Sequence, residues 1–411
     1  MGLFDLVSVL LTLAALFAYF NYRFVGLPNG IGIMLIGLLM SLMLLILNKL
    51  GWFETEQIAA VISQVDFDET VMNGMLSFLL FAGALHVNIN RLAAMKDTIA
   101  ILATIGVLIS SVIISVVSYY IFQLFAMDIP YVYCLVFGVL ISPTDPIAVM
   151  GILKKVGAPK SIEVKITGES LFNDGVAVVL FIAVMGVASG QSEASLGSIS
   201  VLFLQEAVGG AVFGIILGYI GYWMLKSIDN YQVEMLITMA MVTGGYSLAQ
   251  FLHLSGPIAI VIAGLMTGNQ GRMLAMSDVT RDRLDNFWEL IDEVLNAVLF
   301  LLIGIELLLI QFLPSYLYSA ALIIPLVIAS RFISVGLPLS LLRFKNTYSP
   351  HAVKILTWGG LRGGISVALV LSLPVSPYRE PLIAATYAVV LFSILVQGLT
   401  VGRVAQMANK K

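Results

Sequence analysis

The chain has 411 residues, of which 60% are hydrophobic and only 11% are charged, and its mean hydropathy is +1.02. This composition excludes an ordinary soluble globular protein and predicts an all-α integral membrane protein. The formal net charge of −3 and the lack of a basic, aromatic-rich patch exclude nucleic acid as a partner. The single cysteine, Cys134, excludes a disulfide framework and a cysteine-based metal site.

Apolar runs long enough to cross a bilayer recur from end to end, and they predict about thirteen membrane-spanning helices. The first run is not preceded by a basic segment, so we expect it to be retained as a helix and not cleaved as a signal peptide. The predicted spans are 3–23, 28–48, 70–90, 98–125, 130–155, 161–189, 200–226, 233–253, 256–270, 284–311, 315–343, 350–373 and 381–406.

Basic residues are distributed very unequally between the two sides that these spans define. Only Lys49 and Arg379 fall on one side. The other side collects Arg23, Arg91, Lys96, Lys154, Lys155, Lys160, Lys165, Lys226, Arg272, Arg281, Arg283, Arg343, Lys345, Lys354, Arg403, Lys410 and Lys411. Because basic loops stay in the cytoplasm, we expect a cytoplasmic C-terminus and an external N-terminus. The short tail after the last span favours a prokaryotic plasma membrane.

Two predicted spans contain sequences that interrupt a helix. The fifth carries Ser142-Pro143-Thr144-Asp145-Pro146, and each proline removes a backbone donor and disfavours helix before it. The twelfth carries Gly359-Gly360-Leu361-Arg362-Gly363-Gly364, a glycine cluster around a charge. We expect Asp145 to face the positive end of a half-helix and Arg362 to face the negative ends.

These interruptions lie at matching positions of two blocks, about 3–189 and about 233–406, which a linking helix at about 200–226 joins. An offset of seven spans inverts one block relative to the other. The pattern predicts one membrane transporter domain over 1–411, with two inverted repeats of about six helices each. Unwound helices 5 and 12 are expected to cross at the membrane midplane, where helices 5, 6 and 12 form the transport site.

The sixth span carries the polar motif Gly168-Glu169-Ser170-Leu171-Phe172-Asn173-Asp174-Gly175 inside an apolar run. Ser170 and Asp174 are four residues apart and share a helix face, and Glu169 and Asn173 share the neighbouring face. Such charges within a span usually mark an ion or proton route, although a buried polar network that specifies packing is the alternative. Hydroxyl and carboxylate oxygens suit a hard cation, and no thiolate or histidine cluster suits a transition metal.

Three motifs, namely 141–149, 168–175 and Trp358-Gly359-Gly360-Leu361-Arg362-Gly363, together resemble the monovalent cation–proton antiporters of the NhaP/NHE branch. The resemblance covers essentially the whole chain. It implies an NhaA/NhaP-like fold, a homodimer in the membrane lipid, and exchange of Na⁺, or of Li⁺ or K⁺, for H⁺ in pH homeostasis. Asp174 is then the ion-binding residue, with Thr144, Asp145 and Ser170 as further ligands.

The resemblance also implies a conserved pair between Glu169 and Arg362, supported by Asn173. If that pair is neutral and a half-helix dipole holds Asp145, a single exchangeable charge remains on Asp174. Competition of cation and proton for it predicts electroneutral one-for-one antiport by alternating access, with no cofactor. The related electrogenic branch carries an aspartate where Asn173 stands, which supports the same prediction.

Two alternatives use the same midplane site, a cation channel and a sodium-coupled symporter. Neither a selectivity-filter repeat nor a second cation site is evident to support them. An enzyme is disfavoured because no nucleophile–base pair or metal cluster is evident.

Three further features leave questions open. Some family members carry an acidic residue in the third span, where this chain has Phe81-Ala82-Gly83-Ala84-Leu85-His86, so a ligand is missing or water replaces it. Arg331 lies deep in the eleventh span and must be paired or solvated, and Glu306 is its obvious partner but lies at another depth. The stretch from Asp278 to Glu293 mixes charge signs and is typical of a cytoplasmic helix leading into the tenth span.

Overall fold

A computed structural model describes residues 3–51, 69–190, 196–309, 313–342 and 351–409. Within these ranges all regular elements are helical, and an isolated antiparallel bridge is the one strand-like pairing. The helices are α1 Leu3–Phe20, α2 Asn29–Lys49, α3 Leu76–Leu85, α4 Ile89–Ala94, α5 Lys96–Leu124, α6 Tyr131–Leu140, α7 Ile147–Lys155, α8 Lys160–Ala188, α9 Leu196–Lys226, α10 Tyr231–Phe251, α11 Gly256–Met266, α12 Asp278–Ile305, α13 Pro314–Leu342, α14 Ala352–Trp358, α15 Gly364–Leu371, α16 Arg379–Phe392 and α17 Leu399–Asn409.

Short non-α helical turns extend several of these helices. A 3-10 turn at Glu306–Leu309 follows α12, and a three-residue helical turn lies at Arg272–Leu274. The π-helical turns are Asn21–Val25, Glu69–Met75, Leu102–Gly106 within α5, Thr267–Gly271 and Ser393–Gly398.

In the part of the chain that the structure describes, seven helices are long and apolar enough to cross a membrane unaided. They are Val7–Val25, Asn29–Lys49, Lys96–Leu124, Lys160–Ala188, Val201–Lys226, Pro314–Leu342 and Arg379–Gln406. Their burial differs: 67% of the apolar window of α8 is buried inside the protein, against 17% for that of α9. The helix that carries the polar motif is therefore central, and the predicted linking helix is peripheral. The number thirteen stays a prediction.

Both predicted interruptions are present. The fifth span is divided between α6, which ends at Leu140, and α7, which begins at Ile147. The twelfth is divided between α14, which ends at Trp358, and α15, which begins at Gly364. We call residues 141–146 the first linker and residues 359–363 the second linker. Because proline lacks the N–H group and glycine tolerates extended backbone, neither linker continues the helical hydrogen bonds.

The two linkers contact each other directly. The backbone N–H of Asp145 donates to the carbonyl oxygen of Leu361 at 2.8 Å, as one antiparallel bridge. This pairing satisfies backbone groups that would otherwise be left without partners inside the membrane. The crossing of the unwound fifth and twelfth spans is confirmed, and it places four half-helix ends around one point beside α8.

Candidate ion-binding site

A cavity of about 400 Å³ reaches the crossing of the interrupted helices. At the crossing it is lined by Thr144 and Asp145 from the first linker and by Ser170 and Asp174 from α8. Elsewhere it is lined by the polar residues His86, Asn88, Arg91, Lys154 and Glu163. Arg91 and Lys154 belong to the predicted cytoplasmic side, so the cavity connects the crossing with that side.

The predicted ligands converge on this cavity. Ser170 and Asp174, one helical turn apart on α8, both line it, as their shared face predicts. The Asp174 side chain is largely buried, with an exposed fraction of 7%. It is close enough to Asp145 for the two carboxylates to repel each other. Two neighbouring acids in a partly enclosed space favour the entry of a cation or a proton between them.

Hydroxyl groups beside the acids are held in place by one another and by an amide. Thr144 Oγ1 lies 3.1 Å from Ser170 Oγ, and Asn173 Nδ2 donates to Thr144 Oγ1 at 2.9 Å. Asn173 is fully buried, and its Oδ1 atom has no hydrogen-bond partner among the described residues. Asn173 therefore contacts the wall of the cavity through Thr144, and its supporting role stays a prediction.

Asp145 lies at the start of the half-helix α15. A Cβ atom placed on Gly363 would overlap the Asp145 carboxylate, so glycine permits the close approach of the acid to this backbone. Gly363 immediately precedes α15. The expectation that Asp145 faces a positive half-helix end agrees with this position, since the N-terminal end of a helix carries partial positive charge.

Arg362 lies at the opposite kind of helix end. Its Nη1 atom donates to the carbonyl oxygens of Ser142 and Pro143, the latter at 2.8 Å, just beyond the C-terminal end of α6. The Arg362 backbone N–H donates to Ser393 Oγ at 2.9 Å. The expectation that Arg362 faces negative half-helix ends therefore agrees with the structure.

The predicted pairing of Glu169 with Arg362 is wrong. Arg331 donates from Nη1 to Glu169 Oε1 at 2.5 Å and from Nη2 to Oε2 at 2.9 Å, so both carboxylate oxygens are occupied by the other arginine. Arg362 is within electrostatic reach of Glu169 but is bonded to the α6 carbonyl groups. The partner of Arg331, which the sequence left open, is Glu169, and Glu306 lies instead near Arg379.

The position of α13 beside α8 explains why Arg331, and not Arg362, pairs with Glu169. Arg331 lies 162 residues from Glu169, on α13, and reaches α8 beside the glycine linker of the twelfth span. A Cβ atom on Gly360 would come within 2.5 Å of Arg331 Nε, so the absent side chain makes room for this guanidinium group. A bidentate, buried ion pair results, which is the strongest geometry available to arginine and carboxylate.

A comparison with protein families identifies the family to which the chain belongs. The family model described as "Sodium/hydrogen exchanger, transmembrane" matches residues 11–407. The chain belongs to the sodium/hydrogen exchanger family.

Individual members of this family are similar to the chain over nearly all of its length. The Na(+)/H(+) antiporter NhaP of Pseudomonas aeruginosa is 50% identical over 403 residues, which cover 97% of this chain and 95% of that protein. The Na(+)/H(+) antiporter NhaH of Halobacillus aidingensis is 36% identical over 377 residues, covering 91% and 90%. The chain is therefore a multi-pass membrane protein of a transporter family.

A solved structure shares the fold. The sodium proton antiporter MjNhaP1 from Methanocaldococcus jannaschii superimposes with a TM-score of 0.77, covering 100% of both chains at 20% sequence identity. The predicted NhaP-like membrane fold of this exchanger-family chain is confirmed.

The sequence did not predict one acidic residue of the cavity. Asp292, on α12, lines the same cavity as Asp174. The wall formed by α3 is apolar here and includes Leu80, Ala82 and Gly83. In the sequence, Asp292 lies in a mixed-charge stretch that is typical of a cytoplasmic helix, where nothing distinguishes it from the neighbouring charged residues. The spacing of Asp292, Asn296 and Leu299 on one helix face was the available signal.

Proposed function

We propose that this protein is a secondary active antiporter that exchanges Na⁺ for H⁺ across the membrane by alternating access. The observation that carries the proposal is the convergence of Asp174, Asp145, Thr144 and Ser170 on one cavity beside crossed half-helices. The names of the similar antiporters from Pseudomonas and Halobacillus support the same activity. Interrupted helices that meet beside an acidic residue are typical of transporter binding sites.

Asp174 is the carrier in this proposal, and Thr144, Asp145 and Ser170 are the further ligands of the cation. Carboxylate and hydroxyl oxygens provide the hard ligands that an alkali cation prefers, with water completing the coordination. Na⁺ is the proposed substrate, and Li⁺ and K⁺ are the cations to compare with it. The ions are substrates and not resident cofactors, and we assign no catalytic reaction to the site.

The arrangement of charges supports one-for-one exchange. The polar centre contains three acids, Asp145, Glu169 and Asp174, and two arginines, Arg331 and Arg362. With all five ionised, this set carries a single net negative charge. One Na⁺ or one H⁺ neutralises it, and a neutral site moves through the low-dielectric interior at less cost than a charged one. The proposed exchange is therefore electroneutral, because the exchanged ion is held by this set of five side chains, to which Asp292 in the cavity wall does not belong. Pairing Glu169 with Arg331 in place of Arg362 leaves the count unchanged.

The proposed setting is a prokaryotic plasma membrane, with the N-terminus outside, the C-terminus in the cytoplasm, and a homodimer in lipid. The chain acts as one transporter domain in two inverted repeats. In this orientation the described cavity faces the cytoplasm. Na⁺ extrusion and pH homeostasis follow when protons enter from outside through the same site.

The test is proton flux in liposomes. Purified protein is reconstituted, Na⁺, Li⁺ or K⁺ is added, internal pH is followed, and voltage is clamped with valinomycin. We expect proton movement that needs Na⁺ and does not depend on voltage. Asp174→Asn is expected to abolish it, whereas Asp278→Asn, which alters a carboxylate that is 94% exposed, should leave it intact.

Two other results would each reject the proposal. Voltage-driven Na⁺ entry without proton movement would indicate a channel. Na⁺ entry that requires an organic solute moving in the same direction would indicate a symporter.

A further inference from the structure

One helix that contributes to the cavity carries no residue of the proposed carrier site. Helix α12 presents Asp292 and Leu299 to the cavity. Asn296 lies between them on the same face, four residues after Asp292 and three before Leu299. The cavity therefore has a polar patch on α12, formed by Asp292 with Asn296 beside it on the helix, in addition to the proposed carrier site on α8 and the first linker.

The chemistry of this patch suits a cation. Asn296 hydrogen-bonds to the Asp292 side chain, and the charge of Asp145 acts on Asp292. Asn296 is 7% exposed, and its buried Oδ1 atom has no hydrogen-bond partner in the part of the chain that the structure describes. A buried amide oxygen without a donor is costly unless something satisfies it. The Asp292 carboxylate lines the cavity and is a hard oxygen ligand of the kind that alkali cations take, and the buried amide of Asn296 holds it in place.

Position distinguishes this patch from the carrier. The α3 wall of the cavity is apolar, so it offers no acid to an entering cation. Arg91 and Lys154 also line the cavity, and their charges oppose the entry of a cation. An acid on α12 within reach of Asp145 offsets that repulsion on the way to the carrier site.

We propose that Asp292, held in place by Asn296, forms a second binding station, at which a monovalent cation waits on its way between the cytoplasm and Asp174. The inference rests on the proposed antiport, because the station serves the same cavity. It assigns to Asp292 the capture of the cation and to Asp174 the exchange step. Asp292 is accordingly a substrate-binding residue that sets apparent affinity and not the maximal rate.

The transport test measures the dependence of the rate on Na⁺ in everted membrane vesicles, which present the cytoplasmic face to the medium. Asp292→Asn is expected to raise the KM for Na⁺ about tenfold, in the range of electrostatic capture effects, and to leave the rate at saturating Na⁺ unchanged. Asp292→Glu should restore the wild-type KM. The matched control is Glu293→Gln, which removes the next charge on α12 from an exposed side chain that does not line the cavity.

The contrary results of this test are clear. The proposal is overturned if Asp292→Asn leaves the KM unchanged, or if Glu293→Gln raises it equally. A folded Asp292→Asn variant with no flux at saturating Na⁺ would place Asp292 in the exchange step and would also overturn it.

A binding test separates the station from the antiport itself. Binding of ²²Na⁺ to purified Asp174→Asn protein is measured without transport. Its result therefore remains interpretable even if the wild-type protein does not exchange ions. We expect weak residual binding to Asp174→Asn that persists when Glu293→Gln is added and disappears when Asp292→Asn is added. Absence of binding to Asp174→Asn, or equal binding in both double variants, would reject the station whatever the transport assay shows.

Discussion

Glu169 lies in the protein interior with both carboxylate oxygens bonded to the guanidinium group of Arg331. The two side chains are 0% and 5% exposed, respectively. Removal of one partner from a buried pair leaves the other charge unpaired, which costs about 3–5 kcal/mol. Breaking this contact is therefore expected to destabilise the centre of the fold, and the pairing leaves Asp174 as the proposed carrier.

A double-mutant cycle tests the corrected pairing. We expect Glu169→Gln and Arg331→Gln each to lower the apparent melting temperature of the detergent-solubilised protein strongly. The double variant should lose much less than the sum, because neither charge is then left alone. The control cycle uses Glu169→Gln with Arg362→Gln and should give a smaller coupling. A larger coupling to Arg362 than to Arg331 would contradict the structure.

The choice of partner could not be made from the sequence. Arg331 and Arg362 both lie on predicted spans, and both were candidates to neutralise an acid. Which guanidinium group reaches Glu169 depends on the rotation and height of α13 relative to α8. These quantities are set by long-range packing, and no local pattern around Arg331 encodes them.

At the scale of elements, two short extended linkers organise the site. The bridge from Asp145 to Leu361 joins them, and Arg362 bonds to the carbonyl groups after α6. The breaks themselves were predictable, because proline and glycine act on the backbone at their own positions. The pairing of one linker with the other joins residues more than two hundred positions apart, and the inverted arrangement of the blocks was the only sequence sign of it.

The Gly363→Ala variant tests whether transport requires the Asp145 carboxylate to lie close to the backbone of Gly363. Gly363 has φ −132°, which alanine also adopts, so the expected damage is steric: the new Cβ atom would overlap the Asp145 carboxylate. We expect loss of most Na⁺-dependent proton flux in liposomes. Gly151→Ala is the control in the other interrupted span, the fifth, since a Cβ atom there has no atom of the described residues within 4 Å. It should keep full flux and gain about 0.5–1 kcal/mol of helix stability. Equal flux in both variants would show that the crossing tolerates a side chain.

At the scale of the whole molecule, the cavity leads to the predicted cytoplasmic side. Alternating access requires that one side at a time reach the carrier. With the proposed orientation, the described conformation is the inward-facing member of the proposed cycle.

Cysteine accessibility tests this orientation. The chain has a single cysteine, Cys134, which is fully buried, so Cys134→Ala provides a clean background. Thr167 lines the cavity. The Thr167→Cys variant is expected to react with a membrane-impermeant thiol reagent in everted vesicles, and far more slowly in right-side-out cells. Ile166→Cys, at a buried neighbouring position outside the cavity, should not react from either side. Preferential labelling of Thr167→Cys from outside would reverse the proposed topology.

The sequence by itself determined the membrane class, the two helix breaks and the four residues of the proposed carrier site, all of which line one cavity. Composition, backbone chemistry and helical periodicity act over a few residues, so they are readable without knowing how the helices pack. Only the tertiary structure decided that Glu169 pairs with Arg331 and that Asp292 shares the cavity with Asp174. Both facts depend on the orientation of α12 and α13 against α8, which the packing of the whole helix assembly sets.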